Sequence, residues 1–376
     1  MATTTNLILV VAAAALATST WFFLRARATS SSTAPPAQVV KPSAVATTQD
    51  NPGRAGIDAA LDALYPNTRD HRMGLQAGPG ETAPPLEEVV AYRSLTPMPH
   101  WHYITYGLSE LGAKISDDAK QSGFGIELTL RLVDNSETPP QWPINLLRWL
   151  AGIVHRDKNP FGDGHSLPLL AHMLDKYSPR TDGVAFTLDS ELGMVKTSNG
   201  SVKFLQVVPL TADEYSLMGR WDAVKVFEEM QSVEPGLLWR VGRTSILQGA
   251  HGPEIERRAK ADGSAQEMDF DEVSWDEHTV LLDALSRQVV LKFLRYRLAY
   301  GRPASIKSVD KIMDLVNGPV ALHLDNARAM LSVPAARAGA LAERIEKAAS
   351  NTVVTFDGVQ LFRLGDMKEL DVPFQR

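Results

Sequence analysis

The run SGFGIELTLRLV, Ser122–Val133, carries the clearest strand signal in the chain. Ile126, Leu128, Leu130 and Leu132 alternate with Glu127, Thr129 and Arg131, the period-two pattern of a strand with one buried face. Gly123 and Gly125 fit a tight turn leading into it. A phosphate-cradling loop would follow a strand and open a helix, and this glycine pair does neither.

Upstream, PHWHYITYGLSEL (Pro99–Leu111) reads as a strand that ends in a turn, and IDAALDALYP (Ile57–Pro66) as a short helix stopped by proline. LEEVVAYRS (Leu86–Ser94) mixes helical and extended signals. Downstream, PPQWP breaks the chain before an amphipathic helix, INLLRWLAGIVHR (Ile144–Arg156), with Trp142 and Pro143 at its start. VKFLQVVPL (Val202–Leu210) is a second strong strand. Thr211 then caps a helix, with Glu214 at the capping-box spacing. LLWRVG is a short strand, and PEIERRAKADGS a helix closed by Gly263. The acidic, weakly patterned Glu267–Glu277 stretch suits an interdomain boundary. Beyond it, QVVLKFLRYRLAYG reads as β-rich and SVDKIMDLV as helix or strand. PVALHLD is a strand, PAARAGALAERIEKAAS a helix, and NTVVTFDGVQLFRLG a hairpin about Asp357-Gly358. Strands and helices interleave without a βαβ rhythm, which favours α+β mixed sheets.

The first 24 residues carry no charged side chain. Asn6–Leu24 is a 19-residue apolar run, about 28 Å as a helix and so close to bilayer thickness. Trp21, Phe22 and Phe23 sit at one end, and Arg25 and Arg27 follow. With no positive charge before the run, it reads as an uncleaved anchor that places the body on the cytoplasmic side. The alternative is a cleaved signal, which would make the body secreted or periplasmic. Residues 28–54, rich in Ser, Thr, Ala and Pro, read as a flexible stalk.

With 376 residues and 44% apolar content, the chain can build a large core. Lys and Arg number 38 against 44 Asp and Glu, a net charge of −6. That balance argues against nucleic-acid binding. The absence of cysteine excludes disulfides, thiolate metal sites and cysteine nucleophiles. His100 and His102 would share a strand face, as two metal ligands would, but nothing at metal spacing joins them. FGDGH (Phe161–His165) puts Asp163 near His165, a pairing seen in hydrolytic sites, yet no nucleophile elbow exists. Arg295 and Arg297 in LRYRLAYGRP would share one face of a strand, more as salt-bridged sheet surface than as an anion site.

Taken together, these segments resemble the Suppressor of fused family. PHWHYITYGLSEL resembles its most recognisable motif, with Trp101, His102, Tyr103 and Gly107 in place. SGFGIELTLRL matches in Gly123, Gly125 and Glu127, and PPQWPINLLRWLAGIV in Trp142 and Pro143. ALYP, KFLQVVPLTADE, ERRAKADGS and LRYRLAYGRPASIKSV extend the likeness over roughly residues 55–310. These motif residues are expected to be framework. The resemblance implies an α+β, Suppressor of fused-like fold of two mixed α/β domains, which the apolar run read above places behind a transmembrane helix and stalk, a departure from the family. Its expected parts are an anchor over 1–27, a stalk over 28–54, a first domain over 55–265, an acidic linker over 266–286 and a second domain over 287–376.

The same resemblance implies a non-catalytic module that captures a protein or peptide segment between its domains by strand addition. Asp163, His165, Ile153 and Phe161 are the implied partner-binding residues. Ile153 stands where the family has a tyrosine, which alters the partner motif. The absence of cysteine fits a bacterial member, some of which are thought to act as toxin-neutralising immunity proteins. No cofactor, no metal and no nucleic acid is expected. The alternative to binding is a metal-independent hydrolase using Asp163 and His165.

Overall fold

A strand whose alternate residues are Glu, Thr and Arg should wet one face, but Gln121–Val133 does not. The computed structural model describes residues 51–77, 83–169, 173–174, 176–270 and 273–365. These lie in one compact unit, Ala46–Arg376. The anchor and most of the stalk fall outside the described residues, and among those described no helix is long and apolar enough to cross a membrane.

The first half opens with α1 (Pro52–Leu64), which takes in the last residues expected of the stalk. Pro52 sits in its first turn, where its missing N–H is not needed, and Arg54 pairs with Glu87 and Glu88. Strands β1 (Asp70–Gly74), β2 (Glu88–Ser94), β3 (His100–Tyr106) and β4 (Gln121–Val133) form an antiparallel run. Helix α2 (Trp142–Asp157) follows, then β5 (Ser166–Pro168), β6 (Gly183–Leu188), β7 (Met194–Thr197) and β8 (Gly200–Leu210). The sheet order is β1-β2-β3-β4-β8-β6-β5, with β7 also on β8 and β4 parallel to β8. Helices α3 (Ala212–Arg220), α4 (Ala223–Val233) and α5 (Gly252–Asp262) complete this half. The Thr211–Glu214 capping box opens α3, and α5 closes at Gly263. LLWRVG contributes a single bridge, Leu132 to Trp239, rather than a strand.

Both faces of this sheet are covered. Trp101, Tyr103, Leu128, Leu130 and Leu132 pack with α2, while Ile57 and Leu61 of α1 and its C-cap Tyr65 meet Tyr92, Ile104, Tyr106 and Phe204 on the other side. The residues that alternate with leucine in β4 are therefore buried too, at 0% exposure for Glu127 and Thr129 and 2% for Arg131. A buried polar group must find a partner, and these do. Glu127 accepts hydrogen bonds from the backbone N–H groups of Gly107 (3.0 Å) and Ser109 (2.9 Å), and from the hydroxyls of Ser109 (2.7 Å) and Thr105 (2.6 Å). Burial pushes its pKa up, against those donors. Asp189 accepts from Thr129 (2.7 Å), Arg131 (2.6 Å) and the N–H groups of Glu191 and Leu192. Burial would raise the Asp189 pKa, but His102, with Nε2 3.3 Å away, and Arg131 hold it far down. His102 is completed by the Tyr65 hydroxyl at 2.6 Å.

The glycines expected to turn the chain into β4 lie inside it. Gly123 and Gly125 both have positive φ, and the β4–β8 register shifts between Gln121 and Ile126. They form a bulge. Gly107 is held to glycine by its φ of 132° and by close approach, since a Cβ there would lie 2.8 Å from the Glu87 nitrogen.

The second half holds β9 (Glu267–Asp269), β10 (Ser274–Trp275), β11 (Val280–Leu282), α6 (Ala284–Tyr296), β12 (Ala304–Lys307) and β13 (Ile312–Asn317). It continues through β14 (Ala321–Leu324), β15 (Arg328–Val333), α7 (Ala335–Lys347), β16 (Val353–Phe356) and β17 (Val359–Leu364). One sheet runs β14-β15-β13-β12-β9 and another β10-β11-β17-β16. The hairpin about Asp357-Gly358 forms, both residues at positive φ.

Two sequence expectations change here. Residues 266–286 are not a plain linker, because Met268, Phe270, Val273, Val280 and Leu282 bury themselves and carry three strands into the sheets. QVVLKFLRYRLAYG is not β-rich: Asp283 and Ser286 form a capping box and the segment winds as α6. Arg295 then reaches Glu346, while Arg297 leaves the helix end to bond the carbonyl oxygens of Ser264 and Pro303.

Glu127→Ala strands the donors of Gly107, Ser109 and Thr105 inside the core and is expected to remove about 3 kcal/mol of stability. Glu127→Gln, which keeps an acceptor oxygen, should fall between it and the native chain. Urea unfolding of the three proteins checks the order.

Candidate functional site

Two sheets end close together. β5 is the terminal strand of the eight-stranded sheet and β9 that of the five-stranded sheet. Among the described residues, β5 is paired only through β6 and β9 only through β12. The loop FGDGH leads into β5, and Gly164, at φ 81°, turns it by donating to the Phe186 carbonyl. His165 joins the two edges. Its Nδ1 accepts the Gly162 N–H at 3.0 Å, its Nε2 donates to the Asp269 carbonyl at 3.1 Å, and its ring lies 4.7 Å from that of Phe270. Burial lowers its pKa to about 4; the Asp269 carbonyl opposes this and nearby Lys292 adds to it. The imidazole is therefore neutral near pH 7, with its proton on Nε2.

Cavities open on both sides of this joint. One, of about 370 Å³, is lined by Gly162 and Asp163, by Gly125 of β4, by Lys203 of β8, and by Glu267 and Asp269 of β9. The other, of about 270 Å³, is lined by Ser166 and Pro168 of β5, Met268 of β9, Tyr215 of α3, and Gln288 and Lys292 of α6. Lys292 is 9% exposed, and burial pulls its ammonium down to about 8 against the more distant Asp222 carboxylate.

The partner residues expected from sequence separate on this geometry. Asp163 is exposed at the cavity rim. Ile153 is buried in α2, and Phe161 stacks on Phe186 with ring centres 3.9 Å apart, so both are core residues. His165 is a buried joint with both ring nitrogens engaged by the backbone. The Asp163–His165 pairing that a hydrolase would use is not assembled. The framework residues lie inside the first half: Tyr103 donates to the Pro140 carbonyl, Trp142 meets Trp239 edge-on, and Pro143 opens α2. His100 bonds the Met98 carbonyl, and His102 belongs to the Tyr65–Asp189 network. Lys292 was missed. Its signal was a single cation within the apolar run VVLKFL, hidden because that run read as a strand.

A double-covered sheet whose edge meets a second sheet across one histidine defines a mixed α+β protein of two apposed sheet systems. Residues 83–244 match the family model described as Suppressor of fused protein (SUFU), and that stretch is a Suppressor of fused domain. The chain is 30% identical over 212 residues to the Suppressor of fused homologs of Mus musculus and Homo sapiens. Each match covers 51% of this chain and 44% of the relative, so it spans less than half the length of those proteins. The crystal structure of Drosophila Suppressor of Fused shares the fold, with a TM-score of 0.56 and 19% identity over 85% of this chain and 98% of that one.

The neutral His165 sets a pH dependence. A base whose folded pKa is depressed stabilises the fold above its unfolded value, and that stability drains away as pH falls from 6.5 towards about 4. About 3 kcal/mol is at stake across that window. His165→Gln should show a shallower loss of Tm between pH 6.5 and 4 than the native chain, by close to one proton.

Proposed function

We propose that the chain is a non-catalytic protein-binding module that takes an extended segment of a partner between β5 and β9. One observation carries this reading: two sheet edges, unpaired among the described residues, line the same 270 Å³ cavity, and β9 with the loop before β5 lines a second. Main-chain groups on such edges add a strand readily, and flanking pockets read its side chains. Asp163 stands at the rim, where a charge steers and orients a partner. The Suppressor of fused domain supports a binding role in general. The apolar run Asn6–Leu24 supports tethering of the module to a membrane, with the body on the cytoplasmic side.

Photo-crosslinking amino acids at Ser166 and Glu267 are expected to trap a common partner in cells, while one at His323, on the far edge strand β14, traps none. Asp163→Arg should weaken that capture about tenfold, near 1.4 kcal/mol. Equal adducts at all three positions, or none, would overturn the reading. Alkaline extraction of membranes checks the tether: the full chain is expected in the pellet and residues 54–376 in the supernatant.

A further inference from the structure

Lys292 is a cation in the wrong place for a purely structural role. It sits on α6 at 9% exposure and lines the 270 Å³ cavity. Among the described residues it makes no ion pair within 4.0 Å and no hydrogen bond. Arg295 and Glu346, which also line this cavity, pair with each other at 2.5 Å, so that carboxylate is taken. Asp222 acts on Lys292 only through space, and its own Oδ1 caps α4 on the Val224 N–H. His165, which also lines the cavity, is neutral and turned to the backbone. A buried ammonium with no counter-ion is costly to keep, and it still holds its proton near neutral pH. The remaining wall includes hydrogen-bonding side chains of Ser166, Tyr215 and Gln288.

We propose that this cavity is an anion pocket in which Lys292 receives the carboxylate of an Asp or Glu side chain on the captured segment, an inference that rests on the strand-capture reading. The cavity adjoins Ser166–Pro168 on one side and Met268 on the other, so a strand laid along either edge projects alternate side chains towards it. Its volume suits one side chain rather than a folded surface. In that confined site a charge-assisted bond discriminates strongly between a carboxylate and its neutral amide.

The test is selection of a random peptide library on the full chain, with Lys292→Met and Lys292→Arg panned beside it. Methionine fills the same space without the charge and should fold with a Tm equal to or above the native value. The native and Arg chains are expected to enrich peptides with Asp or Glu at one fixed position. Changing that residue to Asn or Gln in a synthetic peptide should weaken binding about tenfold or more. Lys292→Met should select peptides without the acidic residue. Peptides selected with no acidic preference, or the same preference on Lys292→Met, would overturn the anion pocket and leave strand capture standing. No selected peptide on any of the three would overturn strand capture, and the pocket with it.

Discussion

The carboxylate of Glu127 has no water around it, so its oxygens must be met by protein donors. Those donors lie where the chain leaves β3. Gly107 and Ser109 supply backbone N–H groups, and Ser109 and Thr105 supply hydroxyls. One side chain on β4 thus fixes where β3 ends and how the following loop turns. Asp189 does the same for the next layer, tying Thr129 and Arg131 of β4 to the loop after β6 and, through His102, to Tyr65 beyond α1. Burying two carboxylates is unfavourable in itself. What they secure is a single arrangement of strands in a sheet that has no wet face to set its register.

That register determines what happens at the far edge. β8 carries β4 on one side and β6 on the other, and β6 carries β5. The edge strand is therefore placed by a chain of pairings that starts at the buried carboxylates. The second half brings β9 to meet it because Met268 and Phe270 are buried among the core residues of both halves. Open sheet edges invite pairing with other chains. Here they are short, one ends in Pro168, and His165 joins them.

Much of this was legible in the sequence, for particular reasons. β4 and β8 stood out because one leucine-rich run follows a glycine pair and the other, β-branched, ends in a helix cap, which Thr211–Glu214 announced. The exposure of β4 was not legible. Alternation shows that two faces differ in chemistry, and it does not show that the polar face is wet. Glu127, Thr129 and Arg131 are polar because they build networks. α6 was misread because Leu294, Arg295, Tyr296 and Arg297 alternate locally, whereas its capping box lies eleven residues upstream of Leu294, at Asp283. Of the candidate site, the FGDGH loop was legible as a feature, but the burial of its side chains was not. Ile153, Phe161 and His165 face inward because of contacts with segments distant in the chain, and no local spacing encodes that. Lys292 became visible only once its segment was a helix.

The lengths of the two edges carry one more consequence. β5 and β9 are three residues each. On the strand-capture reading proposed above, a guest strand would gain its edge hydrogen bonds only along that stretch, which keeps such a contact short. Recognition at such a slot is by a few consecutive residues, and complexes of that kind exchange quickly. A partner could gain or lose its place by one or two substitutions in an unstructured tail, without any change in its folded part. On that reading, edges this short would suit short-lived, easily rewired associations rather than a permanent subunit contact.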